Sequence, residues 1–160
     1  MSDRPLTGDA TAASNIELLE RIGMLSRSED VHRSSPLSDP QAFKELSSRL
    51  AEAVDEPYDL IVVRDLFGDR MLAYQLALIT GKSVAVSYNR EGVIVLDSGS
   101  SVEQGDRALI AADVHFTTQS IRAAASGVEQ AGMGVAGAAI LLRVTRGGYP
   151  FPVWALEDRT

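Results

Sequence analysis

Residues 108–124 read ALIAADVHFTTQSIRAA, and this stretch decides the fold. Ala108-Leu109-Ile110-Ala111 is a short continuous apolar run, the pattern of a parallel strand buried on both faces. Asp113 stands where that strand ends, and a hydroxyl-rich turn follows with Thr117, Thr118 and Ser120. Beyond it, Ile121, Ala124, Ala125 and Val128 fall at i, i+3, i+4 and i+7, so a helix begins near the turn and stops at Gly132.

Outward from this unit the pattern repeats. Leu60-Ile61-Val62-Val63 is a second buried strand, Met71 to Ile79 reads as a helix ending at Gly81, and Ser83 to Tyr88 is the next strand. Gly92 to Leu96 is a candidate short strand, and Val135 to Leu142 is a last core strand. The order β-α-β-β-α-β predicts an α/β fold: a mostly parallel, twisted sheet flanked by helices. Upstream, Asp39 is a natural N-cap and Pro40 a natural first residue for a helix carrying Phe43, Leu46, Leu50 and Val54. Ser14 and Glu17 have capping-box spacing for a short helix stopping at Gly23, with Ile16, Leu19 and Ile22 on one face. Ser26 to Ser38 is polar and reads as loop or linker. Residues 1–13 read as a disordered leader, 14–36 as an N-terminal helix and linker, and 37–160 as the main domain. The C-terminal aromatics Tyr149, Phe151 and Trp154 read as a tail packed on the core, with a stacking platform for a base as the sharper alternative.

Composition narrows the function. The formal net charge is -7 with no Lys/Arg run, which disfavours nucleic acid and anionic membranes as partners. No cysteine is present, so disulfides and thiolate metal sites are excluded. The start of the chain has no apolar segment of the secretory kind, and a cytoplasmic location is the default expectation.

In such sheets ligands bind beyond the carboxyl ends of the strands, here at the loops Arg64–Arg70 and Asp113–Ser120. A helix N-terminus with free N–H groups and nearby hydroxyls suits a phosphate, and a carboxylate at the strand end can accept from the two hydroxyls of a ribose. An ordinary βα loop with a hydroxyl cap is the plainer reading of the same residues. His115, a lone loop histidine, reads as a satisfied polar residue, with acid–base chemistry as its alternative. Arg64, Asp65 and Arg70 read either as solvated charges or as part of the site.

These residues carry a resemblance. YDLIVVRDLFGDRMLAYQLALITGKSVAV (58–86) looks like the first βαβ unit of the type I phosphoribosyltransferases. QGDRALIAADVHFTTQSIRAAASGVEQAGMGVAGAAIL (104–141) looks like their signature unit: apolar strand, two acidic residues, hydroxyl turn, Thr-Gly and helix. ELLERIGML (17–25) and SDPQAF (38–43) look most like the orotate branch, and the turn also resembles the bifunctional pyrimidine regulators of the same fold. The resemblance covers roughly Leu37 to Leu142. It implies 5-phosphoribosyl 1-diphosphate (PRPP) or another ribose 5-phosphate as ligand, a nucleobase as second substrate, Mg²⁺ as cofactor, a place in pyrimidine biosynthesis and a homodimer. It further implies a ligand-binding set of Asp113, His115, Phe116, Thr117, Thr118, Gln119, Ser120, Asp65, Gly68 and Arg70. Asp113 and Arg90 become the candidates for catalytic roles, and the 14–36 segment a reduced hood over the base.

Four positions depart from the family pattern. Ala112 replaces the first acidic residue, Thr118 and Gln119 stand where glycine and a small or basic residue are usual, and Asp69 stands beside Gly68 in the small pyrophosphate loop. Between Ser87 and Gly105 the only basic residue is Arg90, where the family's mobile loop is basic. Two expectations follow: an orotate-type phosphoribosyltransferase of reduced activity, or a non-catalytic relative that binds a ribose phosphate, a nucleotide or a partner protein.

Overall fold

The computed structural model describes residues 12–28, 30–97, 102–115 and 117–160. The elements run α1 (Asn15–Arg21), α2 (Pro40–Ala53), β1 (Leu60–Arg64), α3 (Phe67–Thr80), β2 (Ser83–Arg90), β3 (Val93–Asp97), β4 (Arg107–His115), α4 (Thr118–Gln130), β5 (Gly134–Arg143) and β6 (Val153–Asp158). They form one sheet in the order β3-β2-β1-β4-β5-β6. Every neighbouring pair is parallel except β2–β3, an antiparallel hairpin.

Strand periodicity explains how both faces are covered. In β1, Ile61 and Val63 face a core shared with Leu19 of α1 and Ile22 just after it, Phe43 and Leu46 of α2, and Leu72 and Leu76 of α3. Leu60 and Val62 face the opposite side with Val128 of α4. Ile110 and Ala112 of β4 meet Ile121 and Ala124 of α4 on that same side. Three helices thus lie on one face and α4 on the other. The sequence expectation of a mostly parallel sheet between helices is met. No helix among the described residues is long and apolar enough to cross a membrane.

Several boundaries differ from the sequence reading. The helix expected from Met71 begins at Phe67, so the loop after β1 shrinks to Asp65 and Leu66, and Gly68 and Asp69 lie in the first helical turn. The segment expected as a mobile loop pairs with β2 instead: Arg90 opposes Val93 across Glu91 and Gly92. Both turn residues have positive φ, 52° and 86°, as a tight hairpin with the sheet's twist requires. Residues 98–101 of that segment lie outside the described residues, as do residues 1–11 of the expected leader.

The C-terminal tail is a sixth strand. Periodicity does not announce VWALED, because it is an edge strand, mixed in polarity and preceded by two prolines. Three contacts hold it. Gly137 of β5 leaves room for Trp154, since a Cβ there would collide with the indole and sit 2.8 Å from the Pro152 carbonyl. The Trp154 indole N–H donates to Asp55 just beyond α2, at 3.0 Å, and Arg143 of β5 pairs with Asp158. Tyr149 and Phe151 stack on each other beside α4, with ring centroids 5.3 Å apart.

Ser26–Ser38, expected as loop or linker, has no helix or named strand among its described residues and is tied down at several points. Leu25 and Val31 form an antiparallel bridge, the Ser35 N–H donates to the Ile22 carbonyl at 2.7 Å, and Ser34 is buried.

Candidate functional site

From β1 the chain crosses through α3 to β2 on one side, whereas β4 lies on the other side of β1. The switch point therefore falls between the C-terminal ends of β1 and β4, where open α/β sheets form their ligand crevice. A cavity of about 340 Å³ opens there, lined by Arg64, Asp65, Ser87, Tyr88, Asn89 and Ser120, among others. A larger hollow of about 730 Å³ lies beside α1, near Glu17, Glu20 and Arg27. It involves no end of the parallel strands, so we place the candidate site at the switch point.

Helix capping sets the crevice apart. Away from it, α1 has a full Ser14–Glu17 capping box and α2 is capped by Asp39. At it, α3 starts from Leu66 and α4 from Thr117, and neither has a side-chain cap. Helix N-termini hold several N–H donors with no partner inside the helix, together with the positive end of the dipole. Two such ends at adjacent strand termini make two anion-accepting positions.

The residues of the α4 turn fall as follows. Thr117 and Gln119 are exposed, and Thr118 and Ser120 half-buried. The Ser120 hydroxyl donates to the Thr117 carbonyl at 3.1 Å. Thr118 needs no positive φ, because it is the first residue of the helix and Glu91 is the only non-glycine with positive φ among the described residues. The strain expected from losing glycine there does not arise. Phe116 lies outside the described residues. His115 is buried, with Nε2 2.7 Å from the Tyr149 hydroxyl. Burial pushes its pKa below the ordinary histidine value, so it is a neutral packing residue.

Asp113 does not face the crevice. The residue is 1% exposed. One carboxylate oxygen accepts from the Ser34 hydroxyl at 2.8 Å and the Ser34 N–H at 3.2 Å, the other from the Val114 N–H at 2.7 Å. The strand parity that sends Ala112 toward α4 sends Asp113 toward α3 and the N-terminal segment. Gly68 is explained by the same contact. A Cβ on it would collide with Asp113 and lie 2.6 Å from the Ser34 hydroxyl, so its missing side chain makes room for the carboxylate.

Asp69 is turned inward as well. It is wholly buried, accepts the Asp113 N–H at 2.9 Å and pairs with Arg64 at 2.6 Å. The sequence reading has it beside a bound pyrophosphate. Instead α3 begins early enough to carry it into the interior. Arg70 is exposed at the rim, bonded to Asp65 at 2.7 Å and to the Tyr88 hydroxyl at 2.8 Å. Arg90 sits exposed at the hairpin tip, and Asn89 rather than Arg90 lines the cavity. Sequence reasoning passed over Ser34, whose contact spans 79 positions and leaves no local pattern. It also passed over Ser87, which read only as a strand residue, and Asn89, which lies just past the expected strand end at Tyr88.

No family model matches the chain. It is 31% identical over 87 residues to an orotate phosphoribosyltransferase of Pelotomaculum thermopropionicum, a match spanning 54% of this chain and 46% of that protein. The chain therefore matches less than half the length of that relative. Among solved structures it superposes on the orotate phosphoribosyltransferase of Mycobacterium tuberculosis H37Rv, in complex with inorganic phosphate, with TM-score 0.73 and 18% identity, over 92% of this chain and 89% of that one. The adenine phosphoribosyltransferase of Thermoanaerobacter pseudethanolicus gives TM-score 0.70 and 22% identity, over 88% and 99%. This chain has the type I phosphoribosyltransferase fold. Within that fold, the strand-end crevice described above is where this chain gathers its polar groups.

The buried carboxylates make a pH test possible. Burial, the largest cause, and the neighbouring Asp113 push the Asp69 pKa from 3.8 up to about 7, with Arg64 opposing. A raised carboxyl means the folded chain keeps a proton that the unfolded chain has released. The stabilisation is complete below the unfolded value and lost as pH rises through about 7. The unfolding free energy of wild type minus that of Asp69→Asn, from urea titrations, is expected to fall between pH 5 and 8, by at most about 1.4 kcal/mol per pH unit. A flat difference across that range would contradict a raised Asp69.

Proposed function

We propose that this chain binds PRPP in the crevice between β1 and β4 and acts as a phosphoribosyltransferase of the orotate type, joining a nucleobase to the ribose with release of pyrophosphate. One observation carries the reading: two uncapped helix N-termini, of α3 and α4, flank one cavity at the switch point, where Arg64, Ser87, Asn89 and Ser120 stand beside Leu66 and Ile94. PRPP carries a 5′-phosphate and a diphosphate, so it presents two anionic groups to two such positions. The 31% match to an orotate phosphoribosyltransferase supports the choice of base, and a cytoplasmic setting belongs to the same reading.

In this reading the 5′-phosphate takes the N–H groups of Thr118, Gln119 and Ser120 with the Thr117 hydroxyl. The diphosphate lies toward α3 and the Asp65–Arg70 rim. Such a transfer passes through a cationic, oxocarbenium-like sugar, so the protein's work is positioning and electrostatic complementarity rather than nucleophilic attack. Asp113 supports the turn from behind. The residues present do not fit a protein-held Mg²⁺: among the described residues no three His or carboxylate groups converge, and Asp65 at the rim is already paired with Arg70. No step is routed through the ion. Ala112 and the inward Asp113 favour a second reading, in which a ribose phosphate or nucleotide is held without transfer.

Both readings predict that PRPP raises the melting temperature through mass action on the folded state. Only the first predicts pyrophosphate release on adding orotate. Thr117→Asp tests the anion position itself. The new carboxylate caps α4, stabilising the apo chain by about 1 kcal/mol, and repels the phosphate, so the PRPP-induced shift is expected to vanish. An undiminished shift in this variant would place the ligand elsewhere.

For the assembly we propose a homodimer through α3. Phe67, Tyr74, Leu78 and Ile79 are exposed large apolar side chains of this one helix, a concentration that marks an interaction surface. Sedimentation is expected to return twice the chain mass for wild type and the single mass for Tyr74→Glu/Leu78→Glu; a monomeric wild type contradicts the proposal.

A further inference from the structure

Arg64 is the charged residue of the crevice that the family pattern does not mark. It is the last residue of β1, its side chain is 14% exposed, and it lines the cavity with Ser87, Asn89 and Ser120. On its inner side the Nε–H donates to Asp69 at 2.6 Å and one terminal N–H to the Val114 carbonyl at 3.3 Å. Those bonds engage two of the five N–H donors of a guanidinium. The cation thus stands between a buried carboxylate behind and the cavity in front, its plane fixed by two bonds from different elements.

The charges around it do not balance when every group is ionised. Asp69 of α3 and Asp113 of β4 are both buried and joined through the Asp113 N–H, and Arg64 is hydrogen-bonded to Asp69 alone of the two. Ser34 of the N-terminal segment contributes only neutral donors. Asp65 and Arg70 at the rim neutralise each other beside Tyr88 of β2. His115 of β4 and Arg143 of β5 complete the charged surroundings, and His115 is kept neutral by burial. Among the described buried groups here, two carboxylates and one guanidinium leave an excess negative charge, which a single proton cancels. An anion in the cavity meets an attractive Arg64 when that proton is present and a compensated one when it is absent.

We propose that Arg64 is the anion-binding side chain of the crevice, that Asp69 positions it, and that an anion and a proton, the latter onto the buried Asp69 carboxylate, are taken up together. This deepens the phosphoribosyl-ligand reading and rests on it. Arg64 would supply in the first βα turn the positive charge that Ser87–Gly105, with Arg90 alone, does not.

The test uses sulfate, which does not titrate near neutrality, on the full chain. Calorimetry in buffers of different ionisation enthalpy at pH 7 is expected to show uptake of up to about half a proton per sulfate bound, since a group with a pKa of about 7 is already half protonated there. Affinity is expected to weaken as pH rises from 6 to 8, by at most about tenfold per unit. Arg64→Gln is expected to weaken binding about tenfold or more at every pH, and Asp69→Asn to remove the pH dependence. The wild-type proton count does not depend on either variant folding well. Sulfate binding with no proton uptake, or binding unchanged in a folded Arg64→Gln, overturns the proposal while leaving a PRPP reading based on the helix ends intact. Absence of sulfate binding, with PRPP giving no thermal shift either, overturns both.

Discussion

The crevice is organised around two carboxylates that water does not reach. Asp69 and Asp113 sit in α3's first turn and near the end of β4, linked through a backbone N–H, with Arg64 paired to Asp69. Burying such groups is costly unless each lone pair finds a donor. The fold provides them: Ser34 and Val114 for Asp113, Arg64 and the Asp113 N–H for Asp69. Gly68 must be a glycine to let this cluster close. A polar cluster shared by β1, α3, β4 and the N-terminal segment thus sets how the two helix tips face each other.

From that constraint the chemistry follows by exclusion as much as by presence. The imidazole of His115 is consumed by packing on Tyr149, and the acidic residues are paired or turned inward. Among the described residues, what the strand ends offer a ligand is a set of N–H groups and hydroxyls, the partly buried Arg64 guanidinium and the exposed Arg70–Asp65 pair. Such a set can hold anions and orient them, and it offers no nucleophile activated by an adjacent base. A ligand with its own good leaving group suits it, because the protein then has only to position the parts.

Much of this was legible in the residues. The apolar runs at Leu60 and Ala108, the Asp39-Pro40 start and the Ser14–Glu17 box act through local sterics and local hydrogen bonds, and they appear where expected. The turn at Thr117–Ser120 was also found from its strand–hydroxyl–helix order. Three things were not legible. The Ser34–Asp113 bond joins positions 79 apart, which no periodicity reports. The direction of Asp113 depends on strand parity at the very end of β4, where one position decides between crevice and core. The sixth strand depends on a glycine, Gly137, that frees space for an indole from elsewhere in the chain. Gly68 shows the hazard most clearly: its presence suggested a backbone approach to a ligand, and its cause is a backbone approach to a buried carboxylate.

The central claim is that the uncapped tip of α4 holds an anion. Amide-resolved NMR of the full chain titrated with inorganic phosphate addresses it directly. The account predicts saturable shifts at Thr118, Gln119 and Ser120, larger than at the capped starts of α1 and α2. Saturable shifts confined to other regions, or no shift at those three amides while phosphate binds, would contradict it.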